Sequence, residues 1–430
     1  MLVLITCALT LFSSFTSAIP HKVDNVVLPV EAFSPLIAQK ILATAQSTQS
    51  PSKYPQYTDR GVGAWQFFSP DTWTTGFFPS TLYALSTRAK LCKGDRSLDG
   101  TDWLGLARRW SAAEIPLETK TGVGHDVGFL SFPFMDELDV NPDNQTAIAA
   151  VNKFATALAA RYNPIVGCTR SWDAADPTDF QVIIDNMMNL QVDKHILMWT
   201  GREKTDACCF VLQVLFASYA LTKNETLRDI AISHAKKTMI NHLRPDGSSF
   251  HVVDYNSTTG AVIDQRTSQG FADNSTWSRG QAWGIYGFAN MYKNTQIFDF
   301  LETARRMAQY FLDNMPSDGI VPWDFNAPLN PPRPADTSAA MIAANGLILL
   351  AQQELTLHPP NIVGSTTYLA SAIDIIKKTT TLAWKPSWQS LLSNGTVNNP
   401  ARNNLTGIVY GDYYFIRAAN ELVSMGLTPC

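Results

Sequence analysis

Charged residues are scarce in this sequence, and no stretch of it is rich in Lys or Arg. Charged side chains make up 16% of the 430 residues, and the formal net charge is -4. Surfaces that bind nucleic acids or anionic membranes need clustered positive charge. The composition therefore argues against nucleic acid and against a membrane surface as partners.

Long hydrophobic runs are lacking as well. The segment 1–18 has a short apolar core and ends in small residues, which is typical of a signal peptide cleaved after Ala18. It is too short for a convincing membrane span, and no later run is long enough. We therefore expect a secreted, extracellular protein with a mature chain of residues 19–430.

Triplets of the form N-x-Ser/Thr fit the same route, because they accept N-glycans only in secreted proteins. They begin at Asn144, Asn224, Asn256, Asn274, Asn394 and Asn404. Together, the signal and the triplets predict a glycoprotein from a eukaryotic source, most simply a fungus.

Cysteine is also scarce, and an odd number remains once the signal is removed. The remaining residues are Cys92, Cys168, Cys208, Cys209 and Cys430. No pair has the spacing of zinc ligands, and we expect no metal or other cofactor. One or two disulfides and a leftover thiol are expected. Cys168 paired with Cys208 or Cys209 is plausible, although the adjacent cysteines could equally be apolar core.

Helical periodicity, in contrast, runs through most of the chain, and 45% of the residues are apolar, so a large core can be built. Roughly a dozen helical patterns are separated by short turns, an arrangement that packs neighbouring helices antiparallel. The clearest patterns cover residues 33–48, 98–113, 143–161, 204–222, 225–242, 296–313, 337–354, 363–382 and 410–425. With no internal linker and no exact repeat, the sequence predicts an all-α protein with one closed helical domain.

One segment departs from helical periodicity. Residues 249–266 alternate between apolar and polar side chains, beside Asp-Gly and Thr-Gly turn signals. They predict a small β-hairpin inserted into the helical chain. Such an insertion is more typical of a functional flap than of scaffold.

The stretch from Asp179 to Trp199 predicts a buried helix with one polar notch, because its apolar residues recur at helical spacing and Asp179 can cap its start. Asp185 lies inside this apolar run. Burial there would raise its pKa and let it hold a proton near neutral pH, as a general acid must. A structural aspartate, hydrogen-bonded to a helix end or to Asn189, is the alternative.

Two further pairs of residues are candidates for a site. His125 and Asp126 lie between glycines at the start of an apolar run, although a His beside an Asp is more often structural than catalytic. Trp73 and Phe77 lie four residues apart, so they would share one face of a helical turn. For this aromatic pair, a packing staple and a sugar platform are equally good interpretations.

A third pair lies in the segment RGQAW. Arg279 and Trp283 are four residues apart at the start of a predicted helix, so they share one face. Gly280, Gly284 and Gly287 leave room for another group to approach this helix closely.

Several segments, taken together, resemble one family. They occur in the same order and with similar spacing from about Trp73 to Ile416, and they resemble unsaturated glucuronyl hydrolases, glycoside hydrolase family 88. The segments are HDVGF, IIDNMMNL, RPDGSSFHVV with the later TSQGFADNSTWSRGQAWG, and ADTSAAMIAANGLILL with the final YGDYYF. Each is weak alone, but their order makes the resemblance strong. It implies a six-hairpin α/α toroid, which agrees with the helical patterns.

The resemblance also implies an unusual hydrolysis. Members of this family release a uronic acid with a C4–C5 double bond from the non-reducing end of oligosaccharides made by polysaccharide lyases. A carboxylic acid protonates C4, and the resulting carboxylate takes a proton from the water that attacks C5. The hemiketal then collapses and releases the rest of the sugar. Rules based on attack at the anomeric carbon do not apply.

The resemblance gives the candidate residues roles. Asp185 matches the general acid/base, and Asp126 matches a second essential acidic position that we expect to influence the titration of Asp185. The positions that match substrate contacts are Trp73, Phe77, His125, His251, Gln269, Arg279 and Trp283. Arg279 suits substrate oxygens because its guanidinium forks, and Trp283 offers a stacking face.

Two departures from the family pattern bear on specificity. No clear Ser/Lys-rich sulfate-binding stretch occurs near residues 385–405, which leaves a preference for sulfated substrates open. Asn274 begins an N-glycan triplet inside the motif region. We predict that it is unoccupied, because a glycan there would block the cleft.

Competing interpretations remain at this point. One is an unsaturated rhamnogalacturonyl hydrolase with the same fold, and another is an ordinary inverting glycosidase that acts on saturated sugars. A third is a secreted sugar-binding protein without turnover, against which the presence of both Asp126 and Asp185 argues. We expect unsaturated uronic-acid oligosaccharides as the partners and a monomeric protein.

Overall fold

The computed structural model describes residues 27–189 and 214–430, and helices account for most of them. The α-helices are α1 (Pro35–Gln46), α2 (Phe77–Leu91), α3 (Trp103–Ala112), α4 (Val127–Leu130), α5 (Phe132–Val140), α6 (Gln145–Ala159), α7 (Val214–Thr222), α8 (Glu225–Asn241), α9 (Ser278–Thr295), α10 (Phe298–Asp313), α11 (Thr337–Leu355), α12 (Ile362–Ala383) and α13 (Val409–Ser424).

The strands are short and lie in the connections between helices. They are β1 (Tyr54–Thr58), β2 (Trp65–Phe68), β3 (Tyr162–Asn163), β4 (Cys168–Thr169), β5 (Trp172–Asp173), β6 (Asp179–Ile183), β7 (Val252–Asn256), β8 (Val262–Arg266), β9 (Gly395–Asn398) and β10 (Asn403–Thr406). Three two-stranded sheets and one four-stranded sheet, in the order β5-β6-β7-β8, result among the described residues.

Consecutive helices pack as hairpins that follow one another around a ring. The pairs α2/α3, α5/α6, α7/α8, α9/α10 and α11/α12 are in contact, and α9 packs on α11, which packs on α13. The last helix, α13, packs against α2. This contact closes the ring between the two ends of the chain, and it confirms the predicted six-hairpin α/α toroid.

The sequences of the helices decide which of them lie inside. α11 is apolar around its whole circumference and is buried along nearly all of its length. In α10, by contrast, the apolar side chains recur on a single face: Phe300, Leu301, Ala304, Met307 and Phe311 are buried. An all-round apolar helix needs neighbours on every side, whereas an amphipathic one covers the exterior. The centre of the ring therefore belongs to helices such as α11.

The prediction of a helix from Asp179 to Trp199 is wrong for the residues that the structure describes. Asp179–Ile183 forms strand β6, and a 3-10 helix follows over Ile184–Asn189. β6 pairs antiparallel with β7, with Val182 opposite Val253. The apolar residues have helical spacing, but the segment forms a strand because its β-branched residues pair with β7, a strand far away in the chain. Residues 190–199 lie outside the described residues.

The predicted hairpin is present as β7 and β8, but it is not a free flap. It forms the outer part of the four-stranded sheet, with β6 on its inner side. This pairing places the end of β6, which leads to Asp185, beside the start of β7, which follows His251. The sheet therefore joins two of the predicted site residues.

The disulfide differs from the predicted pairing. Cys92, at the end of α2, is bonded to Cys430 at the C-terminus. Among the described residues Cys168 is buried and free, but Cys208 and Cys209 lie outside them, so the expected pairing of Cys168 with one of these stays a prediction. The two bonded residues are far apart in sequence, and only the closure of the ring brings them together.

Within residues 27–189 and 214–430, no helix is long and apolar enough to cross a membrane.

Candidate active site

The N-terminal ends of three inner helices meet at one place in the ring. Arg279, the second residue of α9, forms an ion pair with Asp336, the N-cap of α11, at 2.7 Å. The Arg279 guanidinium also lies 5.6 Å from the ring centre of Tyr410, at the start of α13. Trp73, just before α2, contacts the same tyrosine at 4.9 Å. These contacts define the candidate active site.

Asp185 enters this site from the 3-10 helix Ile184–Asn189, directly after β6. Its side chain is 13% exposed, and Oδ2 has no hydrogen-bond partner among the described residues. Burial raises the pKa of Asp185 to about 6, while the charge of Arg279, the backbone N–H of Asp185 and the side chain of Trp283 limit the rise. A carboxyl with this pKa exchanges a proton near neutral pH, as the sequence predicted.

The turn Gly124–Asp126 carries the second candidate acid. Gly124 has a φ of +66°, and a Cβ at this position would lie 3.1 Å from the carbonyl oxygen of Ser171, so glycine is required. His125 is completely buried, and its Nδ1 lies 3.0 Å from the same carbonyl oxygen. Burial lowers the pKa of His125 to about 3, so this ring is neutral.

Asp126 lies next to that ring, with 3.2 Å between Asp126 Oδ1 and His125 Nε2. Burial raises the pKa of Asp126 well above its ordinary value, the negative charge of Asp185 raises it further, and Arg161 opposes both effects. The charge of Asp185 thus acts directly on the titration of Asp126.

His251 lies on the other side of Asp185, with 3.6 Å between His251 Nε2 and Asp185 Oδ2. Its Nδ1 accepts a hydrogen bond from the backbone N–H of Ser268 at 3.1 Å. Trp172 and Trp277 contact its ring at 5.8 Å and 4.4 Å between ring centres. The resemblance predicted that His251 contacts the substrate, and the structure shows that its Nε2 lies near the carboxyl of Asp185.

Arg279 is engaged within the protein. Its two terminal nitrogens donate to Asp336 Oδ2, to Gln269 Oε1 at 2.9 Å, and to the backbone carbonyls of Thr396 and Val397. These bonds use the terminal N–H groups and leave the Nε–H, so the expected pairing with substrate oxygens stays a prediction. The geometry also supports an electrostatic role, in which the buried charge of Arg279 holds down the pKa of Asp185.

A hydrogen bond from Arg279 positions the side chain of Gln269 and leaves its amide nitrogen without a described partner. Its Oε1 accepts from the arginine, and no described residue accepts a hydrogen bond from its amide nitrogen. The side chain is half-buried. The amide N–H groups are therefore available to a ligand.

The three predicted aromatic contacts differ in burial. Trp73 is half-buried, whereas Phe77 and Trp283 are almost completely enclosed. Phe77 packs against Phe129 and Tyr410 in an aromatic layer, and Trp283 packs on Phe129. Only Trp73 keeps an accessible ring among the three. Trp283 is too enclosed to offer the expected stacking face, and its side chain instead lowers the pKa of Asp185.

The sequence interpretation missed four residues of this site. Trp172 and Trp277 flank His251. Asp336 forms the ion pair with Arg279, and Tyr410 contacts both Arg279 and Trp73. Three of them lay inside the segments that carry the resemblance: ADTSAA contains an Asp in helix N-cap position, YGDYYF begins with the tyrosine, and TSQGFADNSTWSRGQAWG contains Trp277. Nothing in the sequence marked Trp172.

Several buried polar atoms at this site have no partner among the described residues. They are Asp185 Oδ2, His125 Nε2, His251 Nε2 and the Tyr410 hydroxyl. A buried polar group without a hydrogen bond costs free energy, so such groups are rare and usually have a function. Their concentration around one acid indicates a site that is completed by a ligand.

In the part of the chain that the structure describes, no group of three or more His, Cys, Asp or Glu side chains could hold a metal ion. The arrangement offers instead two carboxyls whose pKa values are raised, a buried positive charge and a half-buried indole. These groups suit proton transfer to and from a neutral or anionic ligand.

Comparison with known proteins identifies close relatives, although no protein-family model matches the chain. It is 33% identical over 356 residues to an unsaturated glucuronyl hydrolase from Formosa agariphila, across 80% of this chain and 78% of that protein. A crystal structure of an unsaturated glucuronyl hydrolase specific for heparin is 29% identical, with a TM-score of 0.76 over 91% of this chain and 96% of that one. A solved structure with dGlcA-Glc-Rha-Glc is 25% identical, with a TM-score of 0.75 over 91% and 95%.

Proposed function

Because the chain belongs to the unsaturated glucuronyl hydrolase family, glycoside hydrolase family 88, we propose that it releases the 4,5-unsaturated uronic acid from the non-reducing end of lyase-generated oligosaccharides. The observation that carries this proposal is a single carboxyl, Asp185, that is buried, has a pKa of about 6 and faces other unpartnered polar atoms. An acid that must give up a proton and take one back needs a pKa near the working pH.

The first step uses Asp185 as an acid. Its proton goes to C4 of the unsaturated ring, the C4–C5 π electrons form the new C–H bond, and positive charge develops at C5 and the ring oxygen. At pH values below about 6 the carboxyl is mostly protonated in the free protein. The negative charge that remains on Asp185 then lies close to the developing positive charge, which stabilises the transition state.

The second step uses the same group as a base. The Asp185 carboxylate takes a proton from water while the water oxygen attacks C5, and the hemiketal that forms then opens the ring and releases the rest of the sugar. The backbone N–H of Asp185, the side chain of Trp283 and the charge of Arg279 all favour the carboxylate form. The groups that limit the rise in the pKa of Asp185 therefore also stabilise the carboxylate that Asp185 becomes between the two steps.

The substrate class is an oligosaccharide that ends in an unsaturated uronic acid. Two properties of the site support this choice: the buried positive charge of Arg279 favours an anionic sugar, and Trp73 offers a half-buried indole to a ring. Gln269 adds free amide N–H groups on the same side. The parent polysaccharide and the tolerance for sulfate depend on the sugars beyond the first ring.

The decisive experiment is the loss of ultraviolet absorbance of the conjugated uronate in lyase-generated disaccharides. Wild type should remove the absorbance, and Asp185→Asn should not. The matched control is Asp136→Asn in α5, which alters another buried carboxyl with a raised pKa, about 7, whose neighbours are Ser80 and Arg417 instead of the site residues. This control should keep the activity.

Two outcomes would contradict the proposal. Hydrolysis of a saturated disaccharide, without action on any unsaturated one, would indicate an ordinary glycosidase on the same fold. Activity in Asp185→Asn would move the proton donor elsewhere, with Asp126 as the next candidate. A panel that includes unsaturated rhamnogalacturonan fragments separates the rhamnogalacturonyl alternative, because only the sugar beyond the scissile bond differs.

We also propose that the protein is secreted, glycosylated and monomeric. The Cys92–Cys430 disulfide supports secretion, since such bonds persist in oxidising compartments. The relatives named above come from bacteria, so a fungal source stays a prediction from the signal and the triplets. Mass spectrometry of the secreted protein would locate the mature N-terminus, and sedimentation would give its oligomeric state.

The asparagines of the glycan triplets differ in accessibility, so we expect glycans at some of them and not at others. Asn224 is exposed, and the structure shows its side chain only as an acceptor, for the N–H of Thr226. The Asn144 amide nitrogen instead donates to Glu137, which is nearly buried. We expect a glycan at Asn224 and none at Asn144. Glycopeptide mapping that finds the reverse would contradict this assignment.

A further inference from the structure

Two buried histidines lie beside the two carboxyls. A backbone N–H fixes the tautomer of one, and a backbone carbonyl fixes the tautomer of the other. Nδ1 of His251 accepts from the N–H of Ser268, so the proton of the neutral ring is on Nε2. Nδ1 of His125 lies 3.0 Å from the carbonyl oxygen of Ser171, which can only accept, so here the proton is on Nδ1. The two rings are therefore opposite tautomers.

Each histidine has its Nε2 near one carboxyl. The Nε2–H of His251 lies 3.6 Å from Asp185 Oδ2, beyond hydrogen-bond distance, and the bare Nε2 of His125 lies 3.2 Å from Asp126 Oδ1. Neither Nε2 has a hydrogen-bond partner among the described residues. A nearby N–H favours a carboxylate, whereas a bare nitrogen lone pair 3.2 Å from a carboxylate oxygen repels its negative charge unless one of the two groups carries an additional proton.

The surroundings keep both rings neutral. Arg279 and Arg266 lower the pKa of His251 in addition to burial, and Arg161 does the same for His125. The charges of these arginines oppose an imidazolium, so a charged His125 is not available as the source of the missing proton. That proton therefore belongs to Asp126.

We propose that these opposite tautomers decide which carboxyl works: Asp185 exchanges its proton with the substrate, whereas Asp126 keeps its own proton beside the bare Nε2 of His125. His251 and His125 are positioning residues, because they act on the substrate through the two acids. The identity of the reaction rests on the proposed function, but the tautomers are properties of the free protein.

The charges that face the two acids act in the same direction. Arg279 lies on the side of Asp185 and favours its carboxylate. Asp126 faces the negative charge of Asp185, which favours the protonated form of Asp126, and Arg161, which opposes it. The site thus contains one titrating carboxyl and one hydrogen-bond donor instead of two equivalent acids.

The proton balance of the reaction follows from this division. Asp185 gives one proton to C4 and regains one from the attacking water, so it returns to its starting state. After the first transfer, its carboxylate meets the Nε2–H of His251 as an additional donor. The proton on Asp126 is never consumed, and this residue remains a neutral neighbour throughout the cycle.

The direct test is 15N NMR of the full-length protein with labelled histidine at pH 7. The expected result is a protonated Nδ1 for His125 and a protonated Nε2 for His251. His234 and His242 serve as internal references, because a backbone N–H donates to Nδ1 of the first and a carbonyl oxygen lies 3.1 Å from Nε2 of the second. Single His→Gln variants assign the signals. A protonated Nε2 on neutral His125, or an imidazolium at either position, would overturn the proposal.

Infrared difference spectra test the proton on Asp126 independently. The carbonyl band of a protonated carboxyl at pH 7 should be lost in Asp126→Asn and retained in Asp185→Asn. Subtraction from wild type removes the contribution of other buried acids such as Glu114, whose pKa is also raised well above its ordinary value. A spectrum that Asp126→Asn leaves unchanged would contradict the assignment.

Kinetics then test the role of the donor on His251. In His251→Phe the N–H that lies 3.6 Å from Asp185 Oδ2 is removed, and the apparent pKa of Asp185 in the pH profile of kcat/KM should rise by less than about one unit, since a donor at this distance favours the carboxylate less than a hydrogen bond would. His251→Gln offers an amide N–H in its place and should show a smaller shift. Equal profiles for wild type and His251→Phe would refute the coupling. Correct tautomers without any hydration activity would leave the proposal on the histidines standing and refute only the proposed function.

Discussion

Removing the charge of Asp185 should stabilise the protein at neutral pH. In the folded state the pKa of Asp185 is about 6, compared with an ordinary value of 3.8. The folded state therefore binds this proton more tightly than the unfolded state does. The stability that depends on this group is fully present below pH 3.8 and is lost as the pH rises through 6.

The shift gives the magnitude of the effect. A difference of about two pKa units corresponds to about 3 kcal/mol at pH values above 6. Asparagine has the same shape as aspartate and carries no charge, so Asp185→Asn should recover most of this free energy. We expect a gain of about 2–3 kcal/mol at pH 8 that shrinks toward zero at pH 4.

Urea unfolding of wild type and Asp185→Asn at pH 4 and at pH 8 measures this difference. Asp136→Asn provides a comparison, because its pKa of about 7 predicts a gain that continues to grow between pH 6 and 7. A variant that is less stable than wild type at pH 8, or a gain that does not depend on pH, would refute the argument that burial raises the pKa of Asp185.

Three further predictions follow from the same geometry. Since the acid must be protonated, kcat/KM should fall about tenfold per pH unit above the pKa of Asp185, and a flat profile up to pH 8 would contradict the assignment. Arg279→Lys keeps the charge but loses the fork to Asp336 and the carbonyls, so activity should fall about 10–100-fold; wild-type kinetics would show that the fork is dispensable. Cys92→Ser removes the bond to Cys430 and should cost about 3–5 kcal/mol, so an unchanged urea midpoint under oxidising conditions would argue against the disulfide.

The helices could be predicted because their signals are local. The pattern in α11 is apolar all round, and Asp336 before Thr-Ser marks its start, so the sequence alone places a buried helix there. The same holds for the amphipathic α10. Neither prediction depends on any distant residue.

The segment that carries Asp185 shows where local reasoning ends. Its apolar spacing fits a helix and its β-branched run fits a strand, and the sequence offers no way to choose. The choice is made by β7, which lies about 70 residues further along the chain and pairs with it from Asp179 to Ile183. Helix propensity is a weak prior, and pairing with a partner strand overrides it.

The sequence by itself determined the helical class, the two candidate acids and the family, because these reside in periodicity and in ordered motifs. The tertiary structure decided what each residue does. For Arg279, the structure shows that its terminal N–H groups are held by Asp336, Gln269 and two backbone carbonyls. His125 and His251 looked alike, but one meets a carbonyl and the other an N–H, which fixes opposite tautomers. Proton positions depend on partners brought together by folding, and no local pattern records them.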